Sequence, residues 1–114
     1  MSPEVVSLFS YGTLQQDAVQ IETFGRLLTG EADTLCGYRR GMIRIADPEV
    51  LAASGEEHHP IVEPSADPAD EVAGVVFEIT AAELDSADAY ETSNYRRIEV
   101  LLKSGRSAWV YVKA

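Results

Sequence analysis

The chain has 114 residues, 46% of them hydrophobic, so it can bury one core without support from disulfides or metals. Nineteen acidic residues against nine lysines and arginines give a formal net charge of −10. A surface this acidic repels phosphate backbones and anionic lipid headgroups, which argues against nucleic acid and membrane as partners.

The first segments are predicted to be a strand and then a helix. The apolar run Val5 to Ser10 predicts a buried strand. Asp17-Ala18-Val19-Gln20 then resembles a capping box, in which Asp17 accepts from the first-turn amides. Apolar residues at helical spacing predict a helix near residues 18–28, and Thr29-Gly30 is predicted to end it.

The middle of the chain is predicted to be two strands and then an irregular stretch. The strands cover residues 32–39 and 42–46 and are joined by a turn at Arg40-Gly41. From Asp47 to Asp70 the chain is punctuated by four prolines, a glycine and acidic residues. We expect a functional loop there, because binding residues concentrate on such segments.

The last third gives stronger local signals. Residues 72–79 predict a buried strand in which Gly74 allows close backbone approach. Thr80-Ala81-Ala82-Glu83 is a second capping box, and it opens a helix that runs towards Tyr90-Glu91. Residues 98–102 and 108–112 then predict a hairpin whose turn is supplied by Gly105.

Strands outnumber helices, and runs of strand separate the two predicted helices. This pattern favours an α+β domain over regular alternation of strand and helix, and we expect a single domain over residues 1–114.

The sequence Tyr11-Gly12-Thr13-Leu14 follows directly on the first predicted strand. Gly12 has no Cβ, so the backbone there can adopt positive φ and let a ligand approach closely. Several N–H groups that converge at such a turn form an anion-binding nest. An ordinary strand-to-loop corner is the alternative, and the four residues alone favour it.

A second motif, Asp88-Ala89-Tyr90-Glu91 followed by Tyr95-Arg96-Arg97, lies about eighty residues later. Together the two motifs resemble the gamma-glutamylcyclotransferase-like family, whose members carry Y-G-[ST]-L and then L-D-x-[YF]-E and Y-x-R. Ala87 stands where the pattern usually has leucine. The resemblance implies a small mixed β-barrel flanked by two or so helices, with the active-site cavity at one barrel mouth.

The activity that the resemblance implies is release of 5-oxoproline and a free amine or amino acid from a gamma-glutamyl substrate. The substrate's own α-amine attacks its γ-amide carbonyl, so one carboxylate that accepts and returns a proton is sufficient. By its place in the motif, Glu91 is the predicted general acid/base. The alternative is a solvated surface glutamate, since the chain holds many acids.

The resemblance also implies the residues that bind substrate. The loop Tyr11, Gly12, Thr13 and Leu14 is expected to hold the glutamyl moiety. His59 and Pro60 match a loop that lines the pocket, and Tyr95 and Arg97 match Y-x-R. For Arg97 we expect a supporting role through a carboxylate, and Arg96 is expected to face solvent because neighbouring strand residues alternate faces.

Metal and cofactor chemistry are not indicated. His58 and His59 are the only histidines, and adjacent residues in extended chain point to opposite sides, so we expect no metal site. An intramolecular amine needs no activated water, so no cofactor is expected either. A serine nucleophile at Ser10 is disfavoured, since only these histidines offer a base.

The remaining expectations concern partner and location. The partner is a small gamma-glutamyl molecule, with its leaving group and the oligomeric state left open. Cys36 is the single cysteine, so no intramolecular disulfide can form, and its setting predicts a small buried hydrophobe in a strand. No secretory signal is visible, and we expect a cytoplasmic protein. A non-catalytic binding domain on the same fold is the alternative function.

Overall fold

The computed structural model of the protein describes residues 5–91 and 93–114. Its strands are β1 (Val5–Ser10), β2 (Gly30–Cys36), β3 (Tyr38–Arg44), β4 (His58–Pro64), β5 (Glu71–Thr80), β6 (Tyr95–Leu101) and β7 (Ser107–Lys113). Its helices are α1 (Asp17–Phe24), α2 (Pro48–Ser54) and α3 (Ala81–Tyr90), with a 3₁₀ turn at Thr13–Gln15. The α+β class is confirmed.

The strands form a mixed five-stranded sheet and a separate two-stranded ladder. The order in the larger sheet is β2-β5-β1-β7-β6, with β1 antiparallel to β5 and parallel to β7. The ladder pairs β3 with β4. Within the described residues, β2 and β6 are the edges of an open sheet, so the expected closure into a barrel is not confirmed.

The central strand β1 supplies side chains to both faces of the sheet. Phe9 packs in a cluster that includes Val62 of β4, so the β3–β4 ladder covers that face. Leu8 packs in a second cluster with Val19 of α1 and Leu84 of α3, so the helices cover the other. Alternation along one strand therefore places the end of β1 between the ladder and the helices.

Several local predictions are confirmed. The first strand has the predicted bounds, and β5 contains the strand predicted over residues 72–79. A Cβ on Gly74 would lie 2.4 Å from the Ser10 carbonyl oxygen, so this glycine permits the close approach of β5 and β1. Gly105 has φ +90° in the turn between β6 and β7.

The first helix is shorter than predicted and begins differently. It ends at Phe24, because Gly25 adopts the left-handed conformation with φ 73° and its N–H reaches the Ile21 carbonyl. The N-cap is Gln16, so the predicted capping role of Asp17 is wrong: Asp17 is the first helical residue. The apolar spacing that continued to residue 28 is not helical beyond this glycine.

The predicted turn at Arg40-Gly41 is also wrong. The break falls at Gly37, whose φ of 79° lets the chain leave β2 and enter the ladder. Arg40 and Gly41 lie inside β3, opposite Val62 and Ile61 of β4. The two strands predicted as neighbours therefore belong to different sheets.

The stretch from Asp47 to Asp70 is more regular than predicted, because it contains α2 and β4. Asp47 caps α2 by accepting from the Glu49 N–H at 2.9 Å, and Pro48 occupies the first turn. Pro60 lies within β4, a strand of a two-stranded ladder, where proline is tolerated because one edge needs no N–H donor. The prolines thus mark element positions rather than a loop.

Cys36 lies in a strand, as predicted, but the prediction that it is buried is wrong. It is exposed at the end of β2, an edge strand of the larger sheet. Arg96 is exposed, as predicted from alternation along β6. No helix among residues 5–91 and 93–114 has the length and apolar character needed to cross a bilayer.

Candidate active site

The Tyr11–Leu14 segment is fixed by burial and by close packing at Gly12. Tyr11 and Leu14 are buried, and the Tyr11 hydroxyl donates to the Tyr111 carbonyl at 2.6 Å. Gly12 has φ −139°, so the predicted positive φ is wrong. A Cβ there would lie 2.8 Å from Pro60 Cγ. The glycine is therefore explained by its close approach to β4. The predicted anion-binding nest loses the support that a positive φ at Gly12 would have given it.

The amides of this segment nevertheless begin a helical turn. The Gln15 N–H is the first to bond back within the turn, to the Gly12 carbonyl at 3.1 Å. The N–H groups of Thr13 and Leu14 precede it and have no carbonyl of the same turn within reach. These two amides therefore have no hydrogen-bond partner within the 3₁₀ turn.

Glu91 is positioned by the end of α3. The Thr80 hydroxyl accepts from the Glu83 N–H at 3.1 Å, and the Glu83 carboxylate accepts from the Thr80 N–H at 2.9 Å, so the predicted capping box is confirmed. The helix ends at Tyr90, and Glu91 is its C-cap with its N–H bonded to the Ala87 carbonyl. The cap fixes where the Glu91 side chain leaves the helix.

A cavity forms where these segments meet. It brings together all the predicted site residues except Arg97. Its lining comprises Phe9, Ser10, Tyr11, Gly12, Thr13, Leu14, His59, Pro60, Glu91, Tyr95 and Tyr111. The cavity is narrow, because the centre of a water molecule can explore only about 20 Å³ of it. That is room for about one water beside the carboxylate.

The environment of the cavity shifts the pKa of Glu91. Burial, followed by the negative charge of Asp88, raises the pKa of Glu91 to about 8. An ionised carboxylate is disfavoured where water is largely excluded and a second negative charge lies close. Glu91 is thus an acid that exchanges its proton near neutral pH, which is uncommon among surface glutamates.

Tyrosines form most of the wall around Glu91. The Tyr95 hydroxyl donates to the Pro60 carbonyl at 2.7 Å, and the Tyr90 hydroxyl lies 2.7 Å from Thr13 Oγ1. Burial raises the pKa of Tyr90 to about 12, and burial also raises the pKa of Tyr11 and of Tyr95. The phenols stay neutral, so they add no charge that competes with the Glu91 proton.

Tyr95 and His59 tie β4 to the cavity. His59 is buried, and its Nε2 lies 3.1 Å from the Glu56 carbonyl and 3.0 Å from Ser54 Oγ. A carbonyl only accepts, so Nε2 carries the proton in this tautomer. Burial lowers the pKa of His59, which keeps the ring neutral. Among the described residues, no group of three or more His, Cys, Asp or Glu is arranged to hold a metal ion.

Arg97 lies outside the cavity, in a groove that shares Glu91, Tyr95 and Tyr111 with it. Its Nε is 2.9 Å from Asp88 Oδ1, without hydrogen-bond alignment, and its guanidinium lies 4.4 Å from the centre of the Trp109 ring. The Tyr111 hydroxyl donates to the same Asp88 oxygen at 2.6 Å. Arg97 therefore supports Asp88, which in turn influences Glu91.

Sequence reasoning missed Tyr111 and gave Asp88 no site role. Tyr111 faces Arg97 across the β6–β7 ladder, so the hairpin register places it at the cavity. Only that register reveals the contact. Asp88 lies one helical turn before Glu91, and this i, i+3 spacing was a readable signal of two neighbouring carboxylates.

A second groove adjoins the cavity on the side of the 3₁₀ turn. It shares Tyr11, Gly12, Thr13 and Pro60 with the cavity and continues over β3. The space that the centre of a water molecule can occupy is about 360 Å³ in this groove and about 310 Å³ in the groove that contains Arg97. The narrow cavity thus shares lining residues with a larger open space on each of two sides.

The structure is thus an α+β domain with an acid in a small cavity beside a strand-to-turn segment. The family described as "Gamma-glutamyl cyclotransferase, AIG2-like" matches residues 8–114, and the chain belongs to it. The resemblance read from the two motifs is therefore confirmed. No curated protein matches the chain significantly in sequence.

Solved structures agree on the fold. An Arabidopsis thaliana protein solved in solution is 24% identical with a TM-score of 0.73, covering 98% of this chain and 64% of its own. A structure named gamma-glutamyl cyclotransferase is 18% identical with a TM-score of 0.73, covering 97% and 68%. A human protein described as uncharacterised is 20% identical with a TM-score of 0.73, covering 97% and 68%. At these identities the likeness establishes the fold alone.

Proposed function

We propose that this protein is an enzyme that cyclises a gamma-glutamyl substrate to 5-oxoproline and releases an amine or amino acid, with Glu91 as the general acid/base. The observation that carries the proposal is the position of Glu91, with a pKa raised to about 8, in the same cavity as the Tyr11–Leu14 segment. Family membership over residues 8–114 supports the class of reaction.

The reaction moves two protons off the substrate's α-nitrogen, forms one carbon–nitrogen bond and breaks another. The substrate's α-ammonium gives a proton to the Glu91 carboxylate and becomes a nucleophilic amine. Its nitrogen attacks the γ-carbonyl carbon, and a lactam ring closes through a tetrahedral oxyanion. Glu91 gives its proton to the leaving nitrogen as the bond between that carbon and this nitrogen breaks. The regenerated carboxylate then takes the second proton from the ring nitrogen and passes it to the released amine, which departs as an ammonium. Atoms and charge balance without any other reactant.

The raised pKa of Glu91 suits this exchange. A carboxylate with an ordinary pKa near 4.5 takes a proton from an ammonium poorly, since the pKa difference is several units. At about 8 the acid lies much closer to the amine, so the proton passes in either direction at little cost. The same group therefore serves as base in the first step and as acid in the last.

The amides of Thr13 and Leu14 supply donors for negative charge. They precede the first internal hydrogen bond of the 3₁₀ turn, and the turn lines the cavity that contains Glu91. We assign them to the carboxylate of the glutamyl moiety or to the developing oxyanion, where preorganised N–H donors are effective. Tyr95 and His59 shape the opposite wall, and Arg97 acts through Asp88.

The test is incubation of the purified protein with a panel of gamma-glutamyl amino acids, amines and isopeptides. The expected result is 5-oxoproline in equal amount to the released amine. A panel that binds without turnover would support the non-catalytic binding domain, and the proposal would then be wrong. Glutamate release in place of 5-oxoproline would indicate hydrolysis, which would also overturn it.

A further inference from the structure

The groove beside the 3₁₀ turn is lined by a cation, Arg40. Its walls beyond the shared residues include Arg40 and Met42 of β3 and Glu56 and His58 near β4. Arg40 lies opposite Val62 in the ladder, two residue pairs from the Met42–Pro60 pair, of which Pro60 lines the cavity. The positive charge of Arg40 acts on the Tyr11 hydroxyl, although burial dominates the pKa of that group.

Arg40 forms no ion pair with a described carboxylate, whereas Arg39 and Arg44 on the same strand each form one. Arg39 pairs with Glu63 at 2.5 Å, and Arg44 pairs with Glu57 at 2.6 Å. Arg40 is exposed and forms no ion pair with any carboxylate that the structure describes. In a chain with nineteen acidic residues, an unpaired arginine in a groove next to the proposed site is available to bind an anionic ligand.

The acid in the same groove does not neutralise it by contact. Glu56 Oε2 accepts from Gln16 Nε2 at 3.1 Å, on the side of the 3₁₀ turn. The groove therefore presents one bound carboxylate and one free guanidinium. A guanidinium recognises carboxylates by two parallel N–H donors, and its charge remains at every physiological pH.

We propose that Arg40 selects gamma-glutamyl substrates whose leaving group carries a carboxylate, as the α-carboxylate of a gamma-glutamyl amino acid does. The inference rests on the proposed function. The groove and the cavity share Tyr11, Gly12, Thr13 and Pro60 in their lining, so a leaving group that extends past this segment from the Glu91 side would meet β3. A neutral amine leaving group gains nothing from this arginine.

Two substrates that differ in one group test the inference. Gamma-glutamyl-alanine carries the carboxylate, and gamma-glutamyl-alaninamide is nearly isosteric but neutral at that position. We expect Arg40→Gln to lower kcat/KM for gamma-glutamyl-alanine about tenfold and to leave the alaninamide within about twofold. Arg40→Lys keeps the charge and is expected to restore part of the loss.

Arg96 provides the matched control. It is also exposed and forms no ion pair with a described carboxylate, but it lies on β6 and lines neither groove nor cavity. Arg96→Gln removes the same charge from the molecule, so a general electrostatic effect would appear in both variants. We expect it to change neither substrate's kcat/KM.

Each other outcome is decisive. An equal loss for both substrates would mean that Arg40 holds the glutamyl end, which all substrates share, and the selection proposed here would be wrong. No change for either substrate would also overturn it. Failure of the wild type to release 5-oxoproline from any gamma-glutamyl compound would instead overturn the proposed function, and this inference with it.

Discussion

The two grooves beside the cavity each contain an arginine, and the difference between them is whether that arginine is paired. Arg97 Nε lies 2.9 Å from Asp88 Oδ1 and the guanidinium stacks on Trp109, so the charge of Arg97 is already paired within the protein. Arg40 has no described carboxylate partner and lies exposed beside the 3₁₀ turn. A paired cation fixes protein geometry, and an unpaired one is available to a ligand.

The carboxylates at the end of α3 show a parallel difference. Asp88 is 38% exposed at its side chain, contacts Arg97 and accepts from Tyr111, so its negative charge is compensated. Glu91 lines the cavity, where burial raises its pKa to about 8. In the proposed function, two acids one helical turn apart thus have different tasks: Asp88 is a charge held by Arg97 and Tyr111, and Glu91 exchanges protons. The predictions below test this division.

The largest effect is expected from Glu91→Gln. The amide keeps the shape of the side chain but cannot accept a proton, so kcat should fall by about 10²–10⁴-fold, the usual contribution of a positioned acid–base group. Release of 5-oxoproline measures it, and substrate affinity should change little. Glu99→Gln is the matched control, because Glu99 is exposed on β6 and lines neither groove nor cavity. Equal rates for wild type and Glu91→Gln would remove Glu91 from the mechanism.

A smaller effect is expected from Gly12→Ala, which alters a residue that lines both the cavity and the Arg40 groove. The new Cβ would meet Pro60 Cγ at 2.8 Å, so the ring or the backbone of β4 must shift. We expect a loss of stability of about 1–3 kcal/mol, measured by denaturant unfolding, and a higher KM. Gly41→Ala is the control in the same ladder, where the nearest atom is 3.9 Å away. If the two variants lose equal stability, the close approach of Gly12 to Pro60 is not the cause.

A still smaller effect is expected from Asp88→Asn. The Asp88 charge raises the pKa of Glu91, so its removal should lower that pKa. Because the ionised form of Glu91 is the base, kcat/KM for wild type should rise with pH through about 8, and the variant's rise should come at lower pH. Asp85→Asn, on an exposed position of α3, should leave the profile in place. An unchanged profile for Asp88→Asn would show that the two acids are not coupled.

The structural features that could be predicted from the sequence are those that depend on residues close together in the chain. The capping box at Thr80, the glycine turn at Gly105 and the bounds of β1 all use contacts within a few positions. The two motifs also indicated Glu91 and the Tyr11–Leu14 segment, which the fold brings to one cavity. These features need no knowledge of strand pairing.

Features that depend on distant pairing were not predicted. Strands β2 and β3 are adjacent in sequence but pair with β5 and β4, so their separation depends on partners found later in the chain. Gly12 was interpreted through its backbone freedom, whereas its constraint is Pro60, forty-eight positions away and brought near by β4. Tyr111 joined the site only through the register of β6 and β7.

The last prediction concerns stability, and it tests the ionisation of Glu91 independently of its role in turnover. The pKa of Glu91 is raised from 4.5 to about 8 by folding, so between these values the folded state binds more protons than the unfolded state. The free energy of unfolding must therefore fall as pH rises across that window.

Glutamine at position 91 has no proton to lose, so Glu91→Gln should lack this part of the pH dependence. Its Tm should lie near that of wild type at about pH 4.5 and exceed it by several degrees at about pH 9, since 1 kcal/mol corresponds to about 4–8 °C in a domain of this size. Glu99→Gln should follow wild type at both pH values. A Tm difference that stays constant with pH would mean that Glu91 ionises in the folded state as readily as in the unfolded chain. The proton exchange assigned to it would then lose its physical basis, even if the variant were inactive.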